Sequence, residues 1–240
     1  MITLTKRGRL GNNIFQNVVA SIFSKKFDLK VENYINKHAC KKIGCAFNQS
    51  GKIYKNDFVL VNDKNFLTIL KEEKINYGLN FNGFFQNSEF VKNYNKEILS
   101  NFNLTYENCD KNDLFVHVRL GDLARCNVGL NYYATAIESI KYDRGFISSD
   151  DFNHNIVKNL INKYDLTPYI STPESTIEYA KNFNNLILSR SSFSWWIGFL
   201  SKAGVIIYPS VSASLNLDFN GAISEQLFYI NESWKKITIK

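Results

Sequence analysis

Long apolar runs, paired cysteines and recognisable nucleic-acid modules are what this 240-residue chain lacks. No segment offers about 18 uninterrupted apolar residues, so none reads as a membrane-spanning helix. The first residues carry Lys6, Arg7, Arg9, Asn12 and Asn13 where a signal peptide would be apolar. A soluble, cytoplasmic protein is therefore expected, with the sequons at Asn48, Asn103 and Asn231 left unmodified. Four cysteines, Cys40, Cys45, Cys109 and Cys126, are too few and too irregularly spaced for a disulfide scaffold, which fits a reducing compartment. His38, Cys40 and Cys45 lack the fourth ligand that a closed structural zinc site needs. No helix-turn-helix, zinc-finger or RNA-binding signature is present, and no repeat or low-complexity tract.

What the chain does have is a basic balance, with a formal charge of +7 and a pI near 9.1. The lysines read as spread along the chain, without a block of like charge. Such a background attracts polyanions without naming one. A nucleotide sugar or an anionic membrane surface suits it better than nucleic acid, and peripheral membrane association is one partner it allows. The length suffices for one large domain or two small ones.

Periodicity supplies the organisation. Met1 to Thr5 alternates like a strand, residues 8–13 read as a glycine loop, and Ile14, Val18 and Ile22 recur at helical spacing. Residues 30–80 are hard to read apart from a strand at Phe58 to Val61, and a helix capped by Ser88 is expected to run to Leu99. From Leu114 strands and helices alternate: strands near 114–118, 145–148, 168–170, 185–188 and 205–208, and helices near 132–139, 152–164, 175–183 and 193–200. That rhythm predicts a mainly parallel sheet covered on both faces. Ligands bind beyond the carboxyl ends of such strands. His117, Arg119, Ser149, Asp150, Ser191 and Ser192 all fall there.

Chemistry can be read into these residues one by one. Arg119 carries a fixed fork of donors suited to phosphate oxygens, or equally to a salt bridge with Asp122. Ser191 and Ser192 stand before an apolar helical segment, where serine caps backbone N–H groups and where an anion binds. Ser149, Asp150 and Asp151 suit the N-cap of the helix from Phe152. Trp195 and Trp196 read as core. The glycine loop lacks the lysine of a P-loop and the spacing of a dinucleotide fingerprint. Its two glycines permit close approach to a ligand or a tight turn.

Taken in order, GRLGNNIFQ from Gly8, GFFQNSEF from Gly83, HVRLGDL from His117, SSDD from Ser148 and RSSFSWW from Arg190 resemble glycosyltransferase family 11. These are the alpha-1,2-fucosyltransferases, within a wider fucosyltransferase superfamily. The resemblance implies a GT-B-like α/β fold of two Rossmann-like lobes, residues 1–108 on the acceptor side and 109–240 on the donor side. It implies inverting transfer from GDP-fucose to a glycan hydroxyl, with no cofactor and no metal. Arg119 would stabilise the leaving diphosphate, Ser191, Ser192 and Phe193 would cradle it, and His117 and Asp150 would hold the nucleoside, Asp150 at the guanine edge. Arg9 and Asn12 would contribute from the first lobe, and Asp122 is the weak candidate for general base, beside Glu89 or the departing phosphate. Three positions depart from the family pattern: Asn13 for glutamine, Leu120 for a second arginine and Arg190 for asparagine. The missing arginine keeps two further readings open, another nucleotide-sugar donor and a carbohydrate-binding protein without turnover.

Overall fold

A short strand, β1 (Ile2–Leu4), leads into an 18-residue helix, α1 (Leu10–Phe27), in the computed structural model of the chain. Residues 1–54, 56–107, 112–121, 127–211 and 233–239 are described. Helix α1 starts inside the stretch that the sequence reads as a loop, so Gly11, Asn12 and Asn13 are helical. Asparagine is a mediocre helix former, but here tertiary bonds outweigh propensity. Asn13 Nδ2 donates to Arg7 O at 2.9 Å, and its Oδ1 accepts from Asn36 Nδ2 at 2.6 Å. The helix is buried on nearly every side, as expected of a helix at the centre of its unit. It ends at Asp28, whose backbone is left-handed with φ 52°.

Two compact units make up the chain, Met1–Thr105 and Tyr106–Lys240. In the first, β1 and α1 are followed by α2 (Lys37–Lys42), β2 (Phe58–Val61), α3 (Phe66–Leu70), β3 (Gly78–Phe81), α4 (Ser88–Asn93) and α5 (Asn95–Leu99). The three strands are parallel in the order β1-β3-β2. The single helix expected from Ser88 to Leu99 is broken at Tyr94 and capped one residue earlier than expected, by Asn87, whose side chain accepts from Phe90 N at 2.9 Å.

The second unit contains β4 (Leu114–Val118), α6 (Leu130–Glu138), β5 (Gly145–Ser149), α7 (Asn155–Tyr164), β6 (Thr167–Pro168), α8 (Pro173–Ala180), β7 (Asn185–Ile187), α9 (Ser192–Phe199), β8 (Val205–Val211) and β9 (Lys235–Ile239). Its six strands are all parallel, in the order β6-β5-β4-β7-β8-β9. Numbered from β4, that order is 3-2-1-4-5-6, the Rossmann-like arrangement, which reverses direction between its first and fourth strands. Strand β4 shows how the core is divided. Leu114, Val116 and Val118 join a buried cluster with Tyr133, Ile137, Val157 and Leu160 from α6 and α7. Phe115 turns to the opposite face, with its ring centroid 5.3 Å from that of Phe183. The two-residue side-chain period of a strand produces this sorting. At the amino end Asp113, with a side chain 3% exposed, accepts from Arg144 Nε at 3.1 Å and Nη2 at 2.6 Å.

Helix α7 begins at Asn155 rather than near Phe152. His154 is its cap, accepting from Ile156 N at 3.2 Å, and the Asp151 side chain instead closes a turn with Asn153 N at 2.9 Å. Strand β9 extends the sheet beyond the elements legible in the sequence. Among the described residues, no helix is long and apolar enough to cross a membrane.

The charge divides with the units. The first holds sixteen lysines and arginines against eight acids, net +8, and the second thirteen against fourteen, net −1. The basic balance is thus confined to the first unit rather than spread along the chain.

Candidate functional site

In open parallel sheets, ligands bind in the crevice beyond the carboxyl ends of the strands, where the strand order reverses. β4 and β7 flank that point. His117 lies in β4 and Arg119 just past its end, while β7 leads through Ser189 and Arg190 into α9. On the other side of β4, β5 ends at Ser149 and delivers Asp150. The local sequence dictates which side chains reach this rim. His117 and Arg119 continue the parity of Phe115, and Leu120 continues that of Val116 and Val118.

Arg119 and Asp150 form an ion pair at 2.5 Å, with side chains 13% and 21% exposed. The other carboxylate oxygen of Asp150 accepts from Leu120 N at 2.8 Å. Asp150, just past the end of the neighbouring strand, is thus a partner of the arginine. Asp122 lies outside the described residues. Each Asp150 oxygen thus already accepts one bond, and the carboxylate's remaining lone pairs are what a nucleobase would meet.

His117 is 5% exposed. Its Nδ1 contacts Ser194 Oγ and lies 3.2 Å from Ser189 Oγ, and those two hydroxyls are 2.7 Å apart. The Phe193 ring covers the imidazole at a centroid distance of 5.0 Å. Burial, and then the Arg119 charge, push the His117 pKa down to about 3. A neutral imidazole held in this way orients its neighbours by hydrogen bonds. It is a poor proton acceptor at ordinary pH.

Helix α9 starts on this network. Ser191 is its N-cap, with its Oγ accepting from Ser194 N at 3.1 Å, and Ser191 is 4% exposed. Capping therefore occupies this hydroxyl. Ser192 and Phe193 occupy the first turn and are half-buried. That turn presents backbone N–H groups and the positive end of the helix dipole at the carboxyl rim, an environment that favours an anion. Trp195 and Trp196 are both buried and pack edge to face at 4.9 Å, as core residues.

Leu120 is 1% exposed and packs in the core cluster with Val128 and Tyr132. An arginine at this position would point into apolar surroundings, so its replacement by leucine removes no cation from the rim as it stands.

Arg9 and Asn12 lie in the first unit. Arg9 is the exposed N-cap of α1, with extended backbone and no side-chain cap bond. Asn12 Oδ1 accepts from Gln86 Nε2 at 2.6 Å, which joins the first two sequence motifs. Gly8 has φ +64°, which favours glycine, and a Cβ there would also displace the Asn12 side chain. Gln16, fully buried, donates to Thr5 O and Gly83 O at 2.8 and 3.0 Å. Phe85, also buried, is held at φ 56° while its N–H and that of Phe84 donate to the Asp63 carboxylate. A bulky residue in this region is strained. Much of both motifs is thus engaged in holding the first unit together. Glu89 lies in α4 and pairs with Lys71 at 3.6 Å on the surface.

The chain matches no family model and no curated protein. Among the described residues, no group of three or more histidines, cysteines or acids is placed to hold a metal ion.

Three participants escaped the sequence reading: Ser189, Ser194 and Tyr133. The serines sit in a run whose obvious use is capping, and Tyr133 sits in the apolar stripe of α6. Its fully buried hydroxyl approaches the Arg119 backbone and the Ser189 side chain without a hydrogen bond of good geometry. Burial raises its pKa far above the usual tyrosine range. Leaving such a group unsatisfied costs roughly 1–3 kcal/mol. Tyr133→Phe is therefore expected to match or exceed the native protein in urea denaturation. A loss of more than about 2 kcal/mol would reveal a hydrogen bond that the native state depends on.

Proposed function

We propose that this chain is a metal-independent glycosyltransferase that moves L-fucose from GDP-fucose to a glycan hydroxyl with inversion. One observation carries the reading: a cation, Arg119, and the start of α9 flank the reversal point of a 3-2-1-4-5-6 parallel sheet. Such crevices bind nucleotides. The ordered motifs resembling fucosyltransferases supply the identity of donor and sugar.

In the reaction, the bond between sugar C1 and the β-phosphate oxygen breaks and its electron pair stays with the diphosphate. Arg119 and the first-turn N–H groups of α9 stabilise the charge that develops there. The acceptor oxygen attacks C1 from the opposite face and gives its proton to a base, for which Asp122 and the departing phosphate remain the candidates. His117 serves as a neutral orienting group, tying β4 to the start of α9 through Ser194 and Ser189. In a GT-B-like enzyme the two units would serve as acceptor-side and donor-side lobes, with Arg9 and Asn12 contributing from the first.

A second reading keeps the fold and changes the donor, because Asp150, the residue expected at the guanine edge, is bound to Arg119 and Leu120 N–H. Nucleotide release in EDTA from a panel of GDP- and UDP-sugars separates the two. Release of GDP from GDP-fucose alone is the expected result. Release from a UDP-sugar alone would reassign the donor. Release abolished by EDTA and restored by magnesium would overturn the metal-independent mechanism.

A further inference from the structure

The first unit draws seven of its sixteen cations from one layer of chain, the stretch from the end of α1 to residue 52. Between residues 25 and 52 lie seven lysines, Lys25, Lys26, Lys30, Lys37, Lys41, Lys42 and Lys52, against two acids, Asp28 and Glu32. The segment that follows α1 folds back along that helix's own C-terminal half. Asn17 Nδ2 donates to Ile35 O at 2.7 Å, the Ser21 hydroxyl bonds to Tyr34 Oη at 3.3 Å, and Asn48 Nδ2 donates to Ser24 Oγ at 3.3 Å.

Two sets of lysines are thereby drawn together. Lys30 N donates to Lys52 O at 3.1 Å, so these neighbours run side by side. Lys25 Nζ donates to Asn101 Oδ1 at 3.1 Å, and Asn101 O accepts from Ala46 N at 2.7 Å, just past the α2 turn that carries Lys41 and Lys42. Lys25, Lys26, Lys30, Lys41, Lys42 and Lys52 are exposed. Beside Lys52 lies Ile53, a large apolar side chain left 50% exposed.

Lysines in the last turns of α1 and α2 complement the helix dipoles, which accounts for four of the seven. Lys52 also reaches Asp28 at 3.5 Å and Lys37 lies over the Phe47 ring at 6.0 Å, but these contacts account neither for Lys30, nor for the scarcity of acids along the segment, nor for the exposed isoleucine.

We propose that this layer docks the protein on an anionic lipid surface, with Ile53 entering the headgroup region. All seven cations are lysines, compact point charges without the planar fork that arginine uses for shape-specific phosphate recognition. They suit a diffuse negative surface, where each lysine contributes about fivefold to affinity. An apolar side chain beside the charges supplies the second component of interfacial binding. The inference does not depend on the proposed catalytic activity, because its readout is binding.

The test is sedimentation of the full chain with vesicles of phosphatidylcholine containing about one-third phosphatidylserine, against pure phosphatidylcholine, over a range of salt. The combined variant Lys30→Gln, Lys41→Gln, Lys42→Gln and Lys52→Gln is compared with a control, Lys158→Gln, Lys163→Gln, Lys202→Gln and Lys236→Gln, in the second unit. Both variants are checked for unchanged melting. The expected result is phosphatidylserine-dependent, salt-reversible binding that falls several hundredfold in the first variant and is unchanged in the control. Ile53→Ser should weaken the binding that survives at high salt. No phosphatidylserine-dependent binding, an equal loss in the control, or tighter binding to duplex DNA at the same salt would each overturn the proposal.

Discussion

Replacing Arg119 by alanine is expected to lower donor cleavage about 10²- to 10³-fold, the loss typical of one preorganised group facing a developing negative charge. The same change acts on stability. It strips Asp150 of a guanidinium at 2.5 Å, at a site where the carboxylate side chain is 21% exposed. Breaking a fully buried pair costs about 3–5 kcal/mol, and partial exposure places this one nearer 1–3 kcal/mol. The two effects separate in the double variant Arg119→Ala, Asp150→Asn. Neutralising the stranded carboxylate should restore much of the lost stability without restoring cleavage. Arg119→Lys keeps the charge but loses the two-pronged geometry, and should fall between native and alanine. Asp150→Asn alone gives the most informative sign. If diphosphate must take Arg119 away from Asp150, this variant binds pyrophosphate more tightly than the native protein. If Asp150 instead aims Arg119 at the phosphate, it binds more weakly. Full donor cleavage by Arg119→Ala would remove the arginine from the mechanism and, with it, the observation on which the proposed function rests.

The rim of the second sheet was legible in the sequence because parallel strands announce themselves. Runs such as Leu114 to Val118 are buried on both faces, and helices between them leave few topologies to consider. Nothing in the sequence revealed that Asp150 would meet Arg119, since strand neighbours are decided by the whole sheet. Helix starts were misread wherever a side chain had a use other than the nearest cap. Asp151 closes its own turn and leaves capping to His154. Asn12 and Asn13 looked like loop residues because their bonds to Gln86, Arg7 and Asn36 are with other segments. The meaning of Leu120 was likewise invisible until strand parity placed it in the core. The charge pattern was hidden for a simpler reason: its asymmetry exists only relative to a unit boundary, and +8 against −1 sums to an unremarkable +7.

The stability of the second unit is expected to fall as the pH drops from about 6.5, and His117 is the cause. In the unfolded chain an imidazole takes its proton near pH 6.5, whereas in the folded protein burial and Arg119 hold the pKa at about 3. Between those values the unfolded state binds one more proton than the native state, so stability rises with pH across this window and is lost on acidification. The full contribution is present above about pH 6.5. The slope is about 1.4 kcal/mol per pH unit. Between pH 6.5 and 5, before most carboxylates titrate, the loss amounts to about 2 kcal/mol. His117→Asn keeps a polar atom near the Nδ1 position for Ser194 and cannot be protonated. Its unfolding free energy, measured in urea at several pH values, should lack that slope. The difference between native and variant isolates His117, because every other residue is common to both. Parallel curves would mean that His117 takes up its proton in the folded state as readily as in the unfolded one. The rate of donor cleavage should likewise show no His117 inflection between pH 5 and 8. An inflection present in the native enzyme and absent in the asparagine variant would make the imidazole a proton-transfer group and displace Asp122 as the candidate base.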